Sequence, residues 1–329
     1  MTARSARNAP EALPPAILLL GPTASGKTAL ALELVDRLPL EIISVDSALV
    51  YLDMNIGTAK PDAATLARYP HHLVDLIPPT EAYSAARFCT DARAAMRDIA
   101  GRGKLPLLVG GTMLYAKALT DGLSELPVAD PQIRAALETR ASRIGWPGMH
   151  AELAKVDAVT AARLPPTDSQ RIQRALEVYA ITGSPISVLQ RRAAKPSDST
   201  FRALKIGLMP AERATLHARI DQRLRHMLAQ GFVDEVRELR RTYALTADMP
   251  SMRCVGYRQV WDFLANANTE AAEAALLETC LAATRQLAKR QMTWLRSMAD
   301  INMVGCFEPG LAAHVAGITG AFISRAQCE

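Results

Sequence analysis

The stretch GPTASGKT at residues 21–28 matches the pattern G-x-x-x-x-G-K-[ST] at every fixed position. An apolar run at residues 16–20 precedes it and predicts a buried strand, and a helical pattern follows from Thr28 to Leu38. In this context the loop amides and the positive end of the helix face an anion. Lys27 adds a cation, and the Thr28 hydroxyl is a candidate Mg²⁺ ligand. The stretch therefore predicts a binding site for a di- or triphosphate.

Strand and helix signals alternate through the first third of the chain. Apolar runs at 16–20, 41–45 and 105–109 predict strands, and Ser84–Gly101 predicts a further helix. Such alternation implies a parallel sheet with helices on both faces, so we predict an α/β, P-loop NTPase-like fold. Ligands of these sheets bind beyond the carboxyl ends of the strands. The phosphate loop should therefore share one crevice with Asp46, which follows the second strand, and with Gly110-Gly111-Thr112, which follows the third.

The strand signals fade after residue 121, where arginine-rich helical patterns begin. We predict a helical insertion domain at 122–199 within a catalytic core formed by 13–121 and 200–300. In the second part of the core, 201–209 predicts a strand, and 211–231, 233–243 and 269–298 predict helices. We expect residues 1–12 to be a disordered tail and residues 301–329 to be a C-terminal tail.

Composition limits the class of protein. The chain has 329 residues, of which 49% are hydrophobic, and a formal charge of +5 that suits a nucleic-acid partner and a mildly basic enzyme equally well. Its five cysteines include no C-x-x-C pair, which argues against a disulfide framework or a zinc site and favours the reducing cytoplasm. No apolar run approaches the roughly 20 residues of a membrane span, so no membrane partner is expected. Nothing requires a dimer, and we expect a monomer.

Motifs that are missing narrow the chemistry further. The chain lacks the N-K-x-D motif of GTPases, and the run at 105–109 ends in Gly-Gly where a motor ATPase would usually have an acid. The acidic residue comes early, at Asp46. A carboxylate there is placed to help hold Mg²⁺ or to accept a proton from a nucleophile. The structural alternative is a turn cap, because Asp46-Ser47 follows a strand.

Two basic segments and one histidine pair are further candidates. Arg219 and Arg223 occupy one helix face and are placed to clamp a leaving pyrophosphate, although a solvated face with an Asp221–Arg225 pair is the stronger interpretation from spacing alone.

Residues 284–296 contain four cations and no acid. In a helix, Arg285, Lys289, Met292 and Arg296 form one face that suits a polyanion, and Leu287, Gln291 and Trp294 form an opposite face for the core; a solvated basic helix is the alternative. His71-His72 points two ways on an extended segment, and we interpret the pair as structural.

Taken together, these segments resemble the tRNA dimethylallyltransferases, also called tRNA isopentenyltransferases. The likeness runs in order from about residue 14 to residue 300. It is carried by GPTASGKT (21–28), EIISVDSALVY (41–51), IGTAKP (56–61), PHHLVDLIPP (70–79), LLVGGTMLYAKAL (107–119), DSQRIQRALEVY (168–179), RIDQRLRHMLAQGFVDEV (219–236), CVGYRQVW (254–261) and TRQLAKRQMTWLR (284–296).

The resemblance implies that the dimethylallyl group of dimethylallyl diphosphate moves to N6 of the adenosine just 3′ of a tRNA anticodon, with Mg²⁺ as cofactor. It implies Asp46, Thr23, Lys27 and Arg223 as catalytic residues, with Asp46 as the proton acceptor. The diphosphate would be bound by Arg223 and by the loop residues Gly21, Pro22, Thr23, Ala24, Ser25, Gly26, Lys27 and Thr28.

The resemblance also implies a set of tRNA contacts, with the insertion gripping the anticodon stem-loop. These are Asp46, Ser47, Ala48, Leu49, Thr112, Arg134, Gln170, Arg171, Ile172, Gln173, Arg174, Arg253, Cys254, Val255, Gly256, Tyr257 and Arg258, to which the basic helix face adds Arg285 and Lys289. The chain departs from the common family pattern at Leu49, Leu52, Asp53 and Asn55. The zinc finger of eukaryotic relatives is absent, which favours a bacterial-type enzyme.

Two other readings of the same residues remain open. A small-molecule P-loop kinase or an adenylate isopentenyltransferase explains the phosphate loop and Asp46, but it does not need the basic helix or the arginine-rich insertion. A non-catalytic RNA-binding P-loop protein explains the basic surfaces, but it leaves Asp46, Thr23 and Arg223 without a task.

Overall fold

The computed structural model describes residues 13–123, 126–193, 201–265 and 270–327. The chain divides into two compact units, one formed by residues 1–120 and 200–329 and the other by residues 121–199. The predicted disordered tail at 1–12 lies outside the described residues.

The first unit is built on a parallel sheet of six described strands, in the order β3-β2-β4-β1-β5-β6. Every neighbouring pair runs parallel, which confirms the predicted sheet. Three strands predicted from apolar runs are β1, β2 and β4, and a fourth predicted strand is β5. The strands are β1 (Ala16–Leu20), β2 (Leu40–Val45), β3 (His71–His72), β4 (Leu105–Gly110), β5 (Ala203–Met209) and β6 (Ile301–Gly305).

Helices cover both faces of this sheet. On β1, Ile17 and Leu19 point into a core formed with the helices that follow β1 and β6, and Leu18 and Leu20 point into a larger core on the other face. This alternation is the period of a strand that is buried on both sides. The helices of the unit are α1 (Lys27–Arg37), α2 (Ala63–Arg68), α3 (Ala85–Gly101), α4 (Met113–Asp121), α9 (Arg213–Ala229), α10 (Phe232–Thr242), α11 (Tyr257–Ala265), α12 (Glu270–Ser297) and α13 (Leu311–Gln327).

The prediction of a C-terminal tail at 301–329 is wrong over most of its length. Ile301–Gly305 is strand β6, which pairs in parallel with β5, and Leu311–Gln327 is helix α13. Val315, Phe322 and Ile323 of α13 are buried in the same core as α1. This segment therefore completes the sheet and covers one of its faces.

The second unit is helical, as the sequence predicts for the insertion. Helix α5 is interrupted at Gly145, whose φ of 69° lies in the left-handed region, just before Pro147. A separate small core holds the helices together around Met149, Leu153 and Val178. The helices are α5 (Pro131–Val156), α6 (Ala158–Ala161), α7 (Ser169–Thr182) and α8 (Ile186–Ala193).

Candidate active site

The phosphate loop connects β1 to α1 and forms one wall of a pocket of about 590 Å³. Gly26 adopts a φ of 87° at the N-cap of α1, a conformation that favours glycine. The first amides of the helix have no partner within the helix and suit an anion. The hydroxyl of Ser25 is buried without a hydrogen-bond partner among the described residues, so it is a further donor for a phosphate. The lining residues are Ala24, Ser25, Gly26, Lys27, Thr28, Ala29, Ala59, Pro61, Arg219, Gln222, Arg223 and His226.

The ammonium group of Lys27 lies in this pocket, where burial and a neighbouring positive charge disfavour its protonated form. Its ammonium donates to the carbonyl of Pro22 at 2.7 Å. Burial and the positive charge of Arg223 lower the pKa of Lys27 to about 8, and the carboxylate of Asp46 opposes that shift. Burial lowers the pKa of Arg223 as well, again opposed by Asp46. The structure therefore brings together three of the predicted catalytic residues, with two desolvated cations that an anionic ligand would stabilise.

This electrostatic balance predicts that pyrophosphate binding weakens with rising pH. The protonated form of Lys27 attracts the anion, and a pKa of about 8 means that the free protein loses this proton as the pH rises through that value. The affinity should then fall by up to about tenfold for each further pH unit. Isothermal titration with inorganic pyrophosphate measures how the affinity changes with pH. Lys27→Met serves as the reference, because the ionisation of pyrophosphate itself affects both proteins equally. An identical pH dependence in the variant would contradict the assignment to Lys27.

Asp46 lies immediately after β2, at the carboxyl edge of the sheet. Its Oδ1 accepts hydrogen bonds from the backbone N–H groups of Ala48 at 2.8 Å and Leu49 at 3.4 Å. The turn-cap interpretation is thus correct for one carboxylate oxygen. The charge of Asp46 also acts on Lys27, Arg223 and the neighbouring Cys254, so the carboxylate belongs to the electrostatics of the pocket as well.

The turn after β4 lies beside Asp46, as predicted for a shared crevice. The N–H of Thr112 donates to the carbonyl of Val45 at 3.1 Å. The hydroxyl of Thr112 accepts from the N–H of Ser47 at 3.0 Å. Gly110 has no room for a side chain, because a Cβ there would lie 2.0 Å from the carbonyl oxygen of Val45. The two loop ends are therefore locked together.

Arg219 and Arg223 both line the pocket, and the predicted Asp221–Arg225 pair also forms, at 2.8 Å. The Nε of Arg219 donates to the carbonyl of Ala24 at 3.0 Å, and its guanidinium lies 5.0 Å from the ring centroid of Phe307. Ala24 has a φ of 62°, which is unfavourable for a residue with a Cβ. Arg219 thus braces the phosphate loop, a role that spacing did not predict.

Helix α12 presents a different face to the core from the one predicted. Ala288, Gln291, Met292 and Leu295 are buried, whereas Trp294 is exposed. Met292 was placed with the cations and Trp294 with the core, and both assignments are wrong. Lys289 is exposed and Arg285 is half-buried, so the basic character of the outer face remains.

The family departures at Asp53 and Asn55 have structural partners. The carboxylate of Asp53 accepts a hydrogen bond from the hydroxyl of Tyr243 at 2.5 Å. The N–H groups of Asn55, Ile56 and Gly57 all donate to the carboxylate of Glu235 on α10, the closest at 2.6 Å. The segment that carries Ala59 and Pro61 into the pocket is therefore fastened to α10, and sequence reasoning missed Glu235.

The predicted tRNA-binding segment 253–258 combines exposed and buried residues. Arg253 and Arg258 are exposed, whereas Tyr257 is fully buried and its hydroxyl donates to Glu235 at 2.6 Å. Burial and the charge of Asp46 raise the pKa of Cys254 to about 12, so its thiol stays protonated. Tyr257 thus has a structural partner, the thiol of Cys254 lies 3.6 Å from the carbonyl of Pro250, and the two arginines are the available cations.

In the second unit, buried Glu177 organises two of the predicted tRNA-binding arginines. Its carboxylate accepts from the Nε of Arg134 at 2.8 Å and from the Nη1 of Arg174 at 2.6 Å. Arg171 pairs with Asp168 at the exposed start of α7. Ion pairing fixes the positions of these guanidinium groups, and tRNA contact through them stays a prediction, as it does for Gln170 and Gln173. Ile172 is fully buried in the small core of this unit, so its side chain is not available to tRNA.

His71 and His72 form the edge strand β3. The Nε2 of His72 lies 2.6 Å from a carboxylate oxygen of Glu41, and the Nδ1 of His71 lies 2.6 Å from the carbonyl of Tyr69. Among the residues that the structure describes, no three His, Cys, Asp or Glu side chains cluster as metal ligands. Within the same residues, none of the helices combines the length and the apolar character that a membrane span requires.

Fold and site together define an α/β protein with a phosphate-loop motif, in which the carboxylate of Asp46 after β2 acts electrostatically on Lys27 and Arg223. A family model described as IPP transferase matches residues 49–298. The chain belongs to this family.

Curated relatives and solved structures agree with this assignment. A protein of Azoarcus sp. (strain BH72) named tRNA dimethylallyltransferase is 58% identical over 308 residues, covering 92% of this chain and 95% of the relative. One of Ralstonia nicotianae with the same name is 57% identical, covering 94% and 96%. The structure of the full-length tRNA isopentenylpyrophosphate transferase of Bacillus halodurans has a TM-score of 0.67 and 33% identity, covering 95% and 98%. That of a eukaryotic dimethylallyltransferase acting on tRNA has a TM-score of 0.79 and 27% identity, covering 95% and 80%.

Proposed function

We propose that this protein transfers the dimethylallyl group from dimethylallyl diphosphate to N6 of the adenosine 3′-adjacent to the anticodon in tRNA. The observation that carries the proposal is the phosphate loop of an IPP transferase family member with Asp46 acting electrostatically on Lys27 and Arg223. Relatives that share more than half of their residues with this chain are named for this reaction. A phosphate loop reads phosphates and not bases, so it serves a prenyl diphosphate as well as a nucleotide.

In the proposed reaction, N6 of adenine forms a bond to C1 of the dimethylallyl group while the bond from C1 to the diphosphate oxygen breaks. The electron pair of the broken bond leaves with the diphosphate, and Lys27 and Arg223 stabilise that charge. The proton released from N6 passes to Asp46, the carboxylate at the end of β2. Thr23, within the loop, is the fourth proposed catalytic residue and orients the reacting end of the diphosphate.

Magnesium is the proposed cofactor, and the residues present fit it. Thr28 lines the pocket with an exposed hydroxyl, a hard oxygen donor. Mg²⁺ typically binds through one or two protein oxygens, substrate phosphates and waters, so it needs no larger cluster of protein ligands. When bound, the ion would neutralise negative charge on the diphosphate.

The tRNA is proposed to bind through exposed and half-buried cations, with the target adenosine leaving its stack at a cost of a few kcal/mol. In the first unit these cations are Arg253, Arg258, Arg285 and Lys289, and in the insertion they are the arginines of α5 and α7. Contacts to phosphates set affinity, and unpaired bases near the anticodon set specificity. The free cysteines Cys89, Cys254, Cys280 and Cys306 suit a reducing cytoplasm, which we propose as the location of a monomeric enzyme.

The basic face of α12 gives one prediction about RNA affinity. Lys289→Ala removes one exposed cation, so the affinity for tRNA should fall and the salt dependence of binding should become shallower by about one counterion. Filter binding across a salt series measures both. Arg97→Ala, which removes an exposed cation on α3 outside the proposed tRNA contacts, tests whether the change depends on position. An unchanged salt slope for Lys289→Ala would make this face a solvated surface.

The proposed function is tested by supplying radiolabelled dimethylallyl diphosphate, Mg²⁺ and either unmodified tRNA or free AMP and ATP. Label in tRNA alone supports the proposal. Label in free nucleotide would assign the protein to the adenylate isopentenyltransferases instead. Binding of tRNA without transfer to any acceptor would favour a non-catalytic RNA-binding protein.

A further inference from the structure

Gln291 of α12 holds two separate parts of the site with one side-chain amide. Its Oε1 accepts a hydrogen bond from the backbone N–H of Thr23 at 2.8 Å, and its Nε2 donates to the carbonyl of Gly111 at 2.9 Å. The side chain is only 9% exposed. Both ends of the amide are therefore used in a nearly dry environment, where an unpaired donor or acceptor costs most.

The side-chain amide of Gln291 packs tightly against the backbone of Gly111. A Cβ at Gly111 would lie 2.3 Å from the Nε2 of Gln291, so only glycine admits the amide in this position. The bond to Gly111 continues through Thr112, whose hydroxyl accepts from the N–H of Ser47, next to Asp46. The bond to Thr23 reaches the phosphate loop directly. One amide thus links the loop that faces the diphosphate with the turn that carries Asp46.

We propose that Gln291 is a positioning residue that sets the distance between the phosphate loop and the Asp46 turn. This inference rests on the proposed function, in which that distance separates the leaving diphosphate from Asp46, the proton acceptor. Gln291 also occupies the N–H of Thr23, so the diphosphate is bound by the other loop amides. Gln291 lies on the buried face of α12, whereas Lys289, two residues earlier, faces solvent. The helix therefore connects an outer cationic surface to the reacting centre.

Two substitutions separate positioning from other roles. Gln291→Leu removes both hydrogen bonds at similar volume, and Gln291→Glu keeps the acceptor for Thr23 but sets an oxygen against the carbonyl of Gly111. Thr293→Val on the same helix is the matched control, because Thr293 is exposed and its hydroxyl, among the residues that the structure describes, bonds only the carbonyl of Lys289. We expect kcat to fall by about 10- to 10²-fold in both Gln291 variants, since a misplacement of about 1 Å costs up to about 10²-fold. The KM for tRNA should stay within about threefold.

The Glu variant has a second readout that a purely structural role would not produce. A protonated carboxyl group accepts with one oxygen and donates with the other, as the amide does, and burial favours the protonated form. The activity of Gln291→Glu relative to the natural protein should therefore rise as the pH falls from about 8 to about 6. Gln291→Leu, which has no proton to gain, should show no such rise.

The outcomes are distinct. A kcat within about threefold of the natural protein in Gln291→Leu, or a raised tRNA KM with unchanged kcat, would overturn the inference; the second result would make Gln291 an RNA contact. If the natural protein transfers no prenyl group to tRNA, the proposed function fails, and the affinity of each variant for inorganic pyrophosphate then decides the inference. Weaker pyrophosphate binding in Gln291→Leu than in Thr293→Val supports it, and equal binding overturns it. If Gln291→Leu does not fold, Gln291→Glu supplies the same measurements.

Discussion

Replacing Asp46 with asparagine lowers turnover by about 10²–10⁴-fold, the contribution expected of a positioned general base. The substitution is nearly isosteric, and the remaining Oδ1 still accepts from the N–H of Ala48. The turn, and with it the affinity for tRNA, should therefore stay close to that of the natural protein. Single-turnover prenyl transfer at saturating tRNA measures the rate, and filter binding measures the affinity.

The control for this substitution is Asp98→Asn on α3. It removes a carboxylate from a surface ion pair with Arg102, where solvent screens the interaction, and it should leave the rate unchanged. Parallel loss of tRNA affinity and rate in Asp46→Asn would show that the carboxylate acts as the turn cap alone. An unchanged rate would remove Asp46 from the mechanism.

Replacing Arg223 with methionine lowers kcat/KM by about 10²–10³-fold, because the cation is desolvated beside the growing charge of the diphosphate. Burial already lowers the pKa of Arg223, so its charge is poorly compensated until an anion binds. Methionine retains much of the side-chain volume while removing the charge. The affinity for inorganic pyrophosphate should fall in the same variant, and isothermal titration measures it.

The matched control is Arg225→Met, two residues further along α9. Arg225 is exposed and pairs with Asp221 across one helical turn, so its loss should change kcat/KM by less than about threefold. Equal effects of the two substitutions would indicate that net charge on the helix matters and that the position of Arg223 does not. A normal rate in Arg223→Met would remove Arg223 from the groups that stabilise the leaving diphosphate.

Local sequence signals predicted the elements that build the centre of the sheet. The apolar run before the phosphate loop is β1, and Ser84 is the N-cap of α3, accepting from the N–H of Arg87. Parallel order placed Asp46 and Thr112 at one edge, as found. These successes share a cause: each feature depends on a few adjacent residues and on the rule that such strands end at one edge.

The failures depend on contacts between distant segments. Strand β6 is short and only partly buried, and it is defined by pairing with β5 almost a hundred residues earlier. On α12 the burial of Gln291 was predicted correctly, but Met292 and Trp294 were assigned to the wrong faces, because the segments that α12 packs against are far away in sequence. Helix α13 could have been predicted from the sequence, because Val315, Phe322 and Ile323 have the spacing of one apolar helix face. Glu235 carried no such signal, because three of its partners are backbone N–H groups about 180 residues earlier in the sequence.

The central claim is that this chain attaches a five-carbon group to one adenosine of tRNA. The most direct measurement is the nucleoside mass spectrum of unmodified tRNA after incubation with the protein, dimethylallyl diphosphate and Mg²⁺, followed by nuclease mapping of the altered residue. We expect one adenosine per molecule to carry a C5H8 addition on its base, at the position 3′ of the anticodon, and no product with Asp46→Asn on the same timescale. An addition at another residue, or unaltered tRNA with a prenylated free nucleotide, would contradict the central claim.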